Sequence, residues 1–145
     1  MSLAARLLEY QAERFPLKRN LPLLAVFSAA SLSVSAHLAG RPLPGPGAFL
    51  AAFVIVTVLF FQMRAADEWK DREIDRRYRP ERPIPRGLVS LRTILTLGLA
   101  RSPLALAAAW ATGVTGLLLV TWLWLGLMTA EFGVKDWLTA RPVIY

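Results

Sequence analysis

Between residues 66 and 87 the sequence reads ADEWKDREIDRRYRPERPIPRG, which places six of the chain's ten acidic residues among seven Lys and Arg. On a helix, Glu68, Asp71 and Asp75 follow one another by three and then four residues, which stacks their carboxylates on one face with Asp67 at its edge. Like charges at this spacing repel, so such a face calls for a cation. Hard oxygen donors suit a divalent ion such as Mg²⁺, which is held by a few carboxylates together with the oxygens of a phosphorylated ligand. The chain has no cysteine, and its single histidine, His37, is remote in sequence, so zinc and copper find none of their usual ligands near the acids.

The acids run directly into YRPERPIPRG, where Pro80, Pro83 and Pro85 end any helix and stiffen the backbone. A rigid loop of this kind can hold Arg79, Arg82 and Arg86 beside the carboxylates, and the planar guanidinium fork suits phosphate oxygens. Metal ligands next to braced arginines describe a diphosphate site. Lys18 is a further candidate from another part of the chain. The competing reading is a solvated loop in which Glu68 pairs with Arg72 and Glu73 with Arg77 at the i, i+4 spacing of exposed helices. Arg72, Arg76 and Arg77 read as topology or lipid-headgroup charges, and Trp69 and Tyr78 as interfacial anchors.

The elements that must position these groups are apolar. The 145 residues are 55% hydrophobic and their mean hydropathy is +0.44, which indicates a membrane protein. Residues 1–20 form an amphipathic segment suited to the interface, with Leu3, Leu7, Leu8 and Tyr10 between Arg6, Glu9, Glu13 and Arg14. Residues 21–145 form the transmembrane region, with spans expected at about 21–38, 48–66, 91–110 and 113–130 and a cytoplasmic motif loop at 67–90. The first span carries Ala29, Ala30, Ser31, Ser33 and Ser35, small residues that permit close helix packing. The GRPLPGPG stretch at residues 40–47 makes the distal turn. Arg92, Arg101 and Pro103 interrupt the third span, and an alternative runs one long helix over residues 103–130, leaving 91–100 at the surface.

The formal net charge of +7 follows the positive-inside rule and implies no nucleic-acid partner. Placing Arg6, Arg14, Lys18, Arg19, the basic motif loop, Lys135 and Arg141 on one side requires four spans, an all-α multi-pass bundle with N-terminus and motif loop cytoplasmic.

Asp67-Glu68-Trp-Lys-Asp71-Arg-Glu-Ile-Asp75 resembles the first aspartate-rich motif of the UbiA superfamily of intramembrane prenyltransferases, NDxxDxxxD, and Arg82-Pro83-Ile84-Pro85 resembles that family's RPxP loop. Asp67 stands at the motif's Asn position and Glu68 at its first Asp, which keeps oxygen ligands. The resemblance covers the N-terminal half of a family member and implies the first half of its fold. It implies transfer of an isoprenyl group, as an alkyl or aryl group other than methyl, from an isoprenyl diphosphate to a lipophilic acceptor in a bilayer, with Mg²⁺ and in a bacterial inner membrane. By the same resemblance Glu68, Asp71 and Asp75, with Asp67 the weaker candidate, are metal ligands, and Arg79, Arg82, Arg86 and Lys18 bind diphosphate. The family's second motif, DxxxD, has no counterpart: Glu131 and Asp136 are five residues apart. The chain is therefore expected to be an incomplete enzyme, inactive alone. The alternative is a non-catalytic membrane protein whose basic loop binds anionic lipid or an assembly partner.

Overall fold

A computed structural model describes residues 1–134 together with Trp137 and Ala140. Lys135, Asp136 and Arg141 lie outside the described residues. The chain is helical: α1 (Leu3–Arg14), α2 (Leu17–Leu38), α3 (Pro46–Lys70), α4 (Arg72–Tyr78), α5 (Leu91–Ala100), α6 (Ser102–Ala111) and α7 (Thr115–Thr129), followed by a 3₁₀ turn, Glu131–Gly133. α2, α3 and the α5–α6 pair are long and apolar enough to cross a membrane, and α7 is a shorter apolar helix.

α1 begins at Ser2, whose hydroxyl accepts from the Ala5 N–H at 3.2 Å, and stops at Phe15 because Pro16 has no N–H to continue it. The amphipathic segment is consequently shorter than residues 1–20. The Pro16 carbonyl accepts from Arg19 and Asn20 at 3.0 and 2.9 Å, so Lys18, Arg19 and Asn20 already belong to the first turns of α2.

α3 is the hub, against which α2, α5, α6 and α7 all pack. Small residues make this possible: Ala105 and Ala109 of α6 are fully buried against Val58 of α3 and Leu118 of α7. A methyl group on Gly98 of α5 would lie 3.5 Å from the Ala65 Cβ. In lipid, where apolar contact alone does not favour helix over solvent, such close approach is what holds helices together. On α2 the small-residue run divides: Ala29 and Ser33 are half-buried, Ala30, Ser31 and Ser35 are exposed, and the buried residues are Leu24, Ser28 and Ala36.

The third span bends at Arg101, where Pro103 sits in the first turn of α6. Gln62 braces the bend. Its amide nitrogen donates to the Gly98 carbonyl at 3.1 Å and to Ser102 Oγ at 3.0 Å, and its oxygen accepts from the Trp122 indole N–H at 2.8 Å, joining four helices. A single helix over residues 103–130 is ruled out by the reversal at Gly113, with φ +72°, where the Val114 N–H closes onto the Ala109 carbonyl at 2.9 Å. The return of α7 brings buried Glu131 to the end of α3, with Lys70 Nζ 3.4 Å from its Oε1.

Candidate functional site

The acid-rich segment straddles the junction of α3 and α4. The Asp71 N–H bonds the Asp67 carbonyl and the Asp75 N–H bonds the Asp71 carbonyl, each at 2.8 Å, so helical register carries across the junction. Its carboxylates nevertheless reach different surroundings. Glu68 and Asp75 are buried, at 3% and 2% exposure. Asp71 is half-buried and has no ion-pair partner among the described residues, and Asp67 is exposed, 3.6 Å from Arg64.

The proline loop does what its composition dictates. Pro83 is buried, its carbonyl accepts from the Leu88 N–H at 2.9 Å, and Gly87 takes φ +78° where a side chain would be strained. The folded loop aims two arginines at Asp75. Arg82 donates from Nη1 to Oδ2 at 2.5 Å, and Arg79 Nη1 lies 3.6 Å from Oδ1, an oxygen that is buried and accepts no hydrogen bond from the described residues.

Glu68 is engaged by α1 instead. Arg14 Nε donates to its Oε1 at 2.5 Å, and the Tyr10 hydroxyl lies 3.4 Å from the same atom. Burial first, and then the Glu68 charge, push the Tyr10 phenol well above its ordinary value, so it stays a protonated donor. Arg86 does not reach the acids of its own segment. It spans from the loop to α1, donating from Nη2 to Glu9 at 2.6 Å and to Glu13 at 2.7 Å. Lys18 is exposed in the first turn of α2 and lines neither the hollow nor the groove described below.

The hydrogen bond from Arg86 holds Glu13 below the usual glutamate range. A depressed carboxylate contributes stability that is present at neutral pH and is lost as pH falls through the lowered value. Lowering the pH below the ordinary glutamate value of about 4.3 is therefore expected to lower the protection factors of α1 amides, exchange corrected for its intrinsic pH dependence, several-fold, and Arg86→Ala to do the same at pH 7. Protection factors in α3 should change in neither case.

Several spaces flank α3. Glu68, Arg72, Glu73, Asp75, Arg76 and Ile84 line a hollow of about 260 Å³. On the same side, deeper along α3, Phe53, Val54, Thr57 and Phe61 face Leu7, Tyr10 and Phe15 across an apolar groove of about 380 Å³. Tyr10 belongs to both neighbourhoods, walling the groove and contacting Glu68. The largest space, about 660 Å³, lies on a different face of α3, that of Gln62, Ala65, Ala66 and Trp69, and none of the motif's acids lines it. The hollow carries fixed charge and the groove beside it is mostly apolar.

The sequence model of the UbiA prenyltransferase family matches residues 23–138. This chain belongs to that family. It is therefore a membrane protein of the prenyltransferase type, as the motif and the helical bundle had indicated. No curated protein and no solved structure matches it.

UbiA proteins generally depend on Mg²⁺, so the fit of such an ion to this chain matters. Among the described residues no three acids or histidines converge into a set that would hold a metal by themselves. Mg²⁺ needs less than that when phosphate oxygens complete its shell. Asp75 Oδ1, which accepts no hydrogen bond from the described residues, and a hollow lined by Glu68 and Asp75 would suit an ion that arrives with a diphosphate. The arginine assignments shift accordingly. Arg72 and Arg76 line the hollow, although the sequence reads them as headgroup charges. Their spacing four residues apart, each one residue after an acid of the motif, was the available signal. The local pairs of Glu68 with Arg72 and Glu73 with Arg77 do not form. Arg72 donates to the Trp69 carbonyl at 2.9 Å and packs over its ring, and Arg77 packs over Tyr78.

Proposed function

We propose that this UbiA-family chain binds an isoprenyl diphosphate together with Mg²⁺ at the cytoplasmic mouth of its bundle, and that this binding serves prenyl transfer to a lipophilic acceptor. The observation that carries the reading is the placement, on one side of α3, of the hollow of Glu68 and Asp75 next to the apolar groove of Phe53, Val54, Thr57 and Phe61, the two meeting at the Tyr10–Glu68 contact. One molecule with a charged head and an isoprenoid tail would fill both.

In this reading Glu68, Asp71 and Asp75, with Asp67 at the margin, supply oxygen ligands, while Arg72, Arg76 and Arg79 meet the phosphate oxygens. Arg82 positions Asp75 by its hydrogen bond. The groove lays the tail along α3 and keeps water from the carbon next to the diphosphate. A bound Mg²⁺ would neutralise charge developing on the departing diphosphate. The chain's own acids provide one such motif, and we propose that transfer requires a second set of carboxylates brought to the hollow.

Equilibrium binding of tritiated farnesyl diphosphate to the chain in lipid nanodiscs tests the reading. Saturable binding that needs Mg²⁺ and is displaced by inorganic pyrophosphate is expected. Salt-sensitive binding to any anionic vesicle, indifferent to Mg²⁺, would favour the lipid-binding alternative. Robust prenyl transfer by the 145-residue chain, lost in Asp71→Ala, would contradict the need for a second carboxylate set.

A further inference from the structure

α1 walls the groove and also reaches Glu68 of the hollow. Its Arg14 and Tyr10 both turn to Glu68 Oε1, leaving Glu68 only 3% exposed, and its Leu7, Tyr10, Gln11 and Phe15 form one wall of the apolar groove. Oε1 is thus already taken, and a divalent cation on Glu68 would stand within a few ångströms of the Arg14 guanidinium and be repelled by it, so binding is favoured by withdrawing Arg14. A prenyl tail would have to enter beneath the same helix. From these contacts we propose that α1 is a strap, closed here, that must lift from Glu68 before a metal-bound prenyl diphosphate can occupy the site. The proposal rests on the diphosphate-site reading given above.

The fastenings suit a strap. Arg86 ties its outer edge to Glu9 and Glu13 through partly exposed ion pairs, of the kind that water readily replaces. The far end is anchored. Phe15 is buried and packs on Phe60 and Phe61, with ring centroids 6.0 and 5.7 Å apart, and Pro16 separates it from α2. Lifting α1 about this pivot would break the Arg14 and Tyr10 contacts to Glu68, the Arg86 ties and the packing of Tyr10 and Leu7 on Ala65, Val89 and Ile94, while leaving the Phe15 anchor in place. Leu8, 67% exposed and on the opposite side of the helix from Tyr10 and Leu7, offers an apolar contact to the bilayer surface from which a prenyl lipid would come.

The chain has no cysteine, so a reducible crosslink between E13C and R86C can lock the strap specifically. With Mn²⁺ and farnesyl diphosphate as the probe, the crosslinked protein is expected to bind at least tenfold more slowly than the same protein after reduction. In the unmodified chain, the probe should raise amide exchange in residues 3–14, and Arg14→Gln, which keeps the helix but frees Glu68, should bind several-fold faster. Equal rates in the locked and reduced forms, with α1 exchange unchanged by the probe, would overturn the strap while leaving the site reading intact. Absence of binding in the reduced form, in Arg14→Gln and in the unmodified chain alike would overturn both.

Discussion

Asp75→Asn is expected to weaken Mg²⁺-dependent binding of farnesyl diphosphate at least 100-fold, about 2.7 kcal/mol, in the titration described above. The reason is local. Asp75 is 2% exposed and is the one motif acid that meets both loop arginines, Arg82 through Oδ2 and Arg79 beside Oδ1. Asparagine can still accept from Arg82 but carries no charge for a cation, and its amide nitrogen would present hydrogens to whatever the Oδ1 position faces. Asp75→Ala should be worse in a different way. It removes the acceptor as well as the charge, so Arg82 is left without its hydrogen bond in a part-buried setting, at a cost of about 1–3 kcal/mol of stability. The two variants separate function from folding: Asp75→Asn should melt close to the unmodified chain, while Asp75→Ala should not. Unchanged binding in Asp75→Asn would remove the carboxylate from the site.

The second large effect lies away from the acids. Gln62→Leu is expected to destabilise the bundle by about 2 kcal/mol, because it deletes three interhelical hydrogen bonds that each average about 0.6 kcal/mol in a membrane protein. The Trp122 indole N–H and the Ser102 hydroxyl lose their partner in an apolar setting, and the bend at Arg101 loses its tie to α3. Trp122→Phe deletes one bond of the three and should cost correspondingly less. Reversible unfolding in bicelles measures both. Since Gln62 lines a different space from Glu68 of α3 and Asp75 of α4, diphosphate binding by the folded Gln62→Leu protein should be unchanged. A stability equal to that of the unmodified chain would mean that the brace is incidental.

What could be read from the sequence was local. Apolar runs of spanning length, the register of Glu68, Asp71 and Asp75, and the stiffness of Arg82-Pro83-Ile84-Pro85 all depend on residues within a turn or two of each other. The resulting elements are present: α3 carries the acids out of the apolar bundle, and the loop returns arginines to Asp75. What the sequence concealed was distant. Arg14 meets Glu68 across 54 residues, Arg86 meets Glu9 across 77, and Trp122 meets Gln62 across 60, and no periodicity encodes such pairs. The i, i+4 pairs that periodicity did suggest are absent, because Arg14 from α1 captures Glu68 and lets Arg72 fold onto Trp69. Similarly, Arg86 looked like a phosphate ligand because it shares a loop with Arg79 and Arg82. Its position after Pro85 turns it toward α1 and its acids instead. The bend at Arg101 was visible only as an ambiguity, since Pro103 is compatible both with a helix start and with a broken span.

The central claim is that Glu68 and Asp75 hold a divalent ion and a diphosphate jointly. Electron–nuclear double resonance on the chain in nanodiscs, with Mn²⁺ and farnesyl diphosphate, reads this directly through coupling of the metal to phosphorus. The expected result is a protein-dependent Mn²⁺ spectrum, distinct from that of the ion and diphosphate free in lipid, with strong phosphorus coupling, reverting to the free spectrum in Asp75→Asn. A Mn²⁺–diphosphate spectrum that is the same with and without the protein would contradict it.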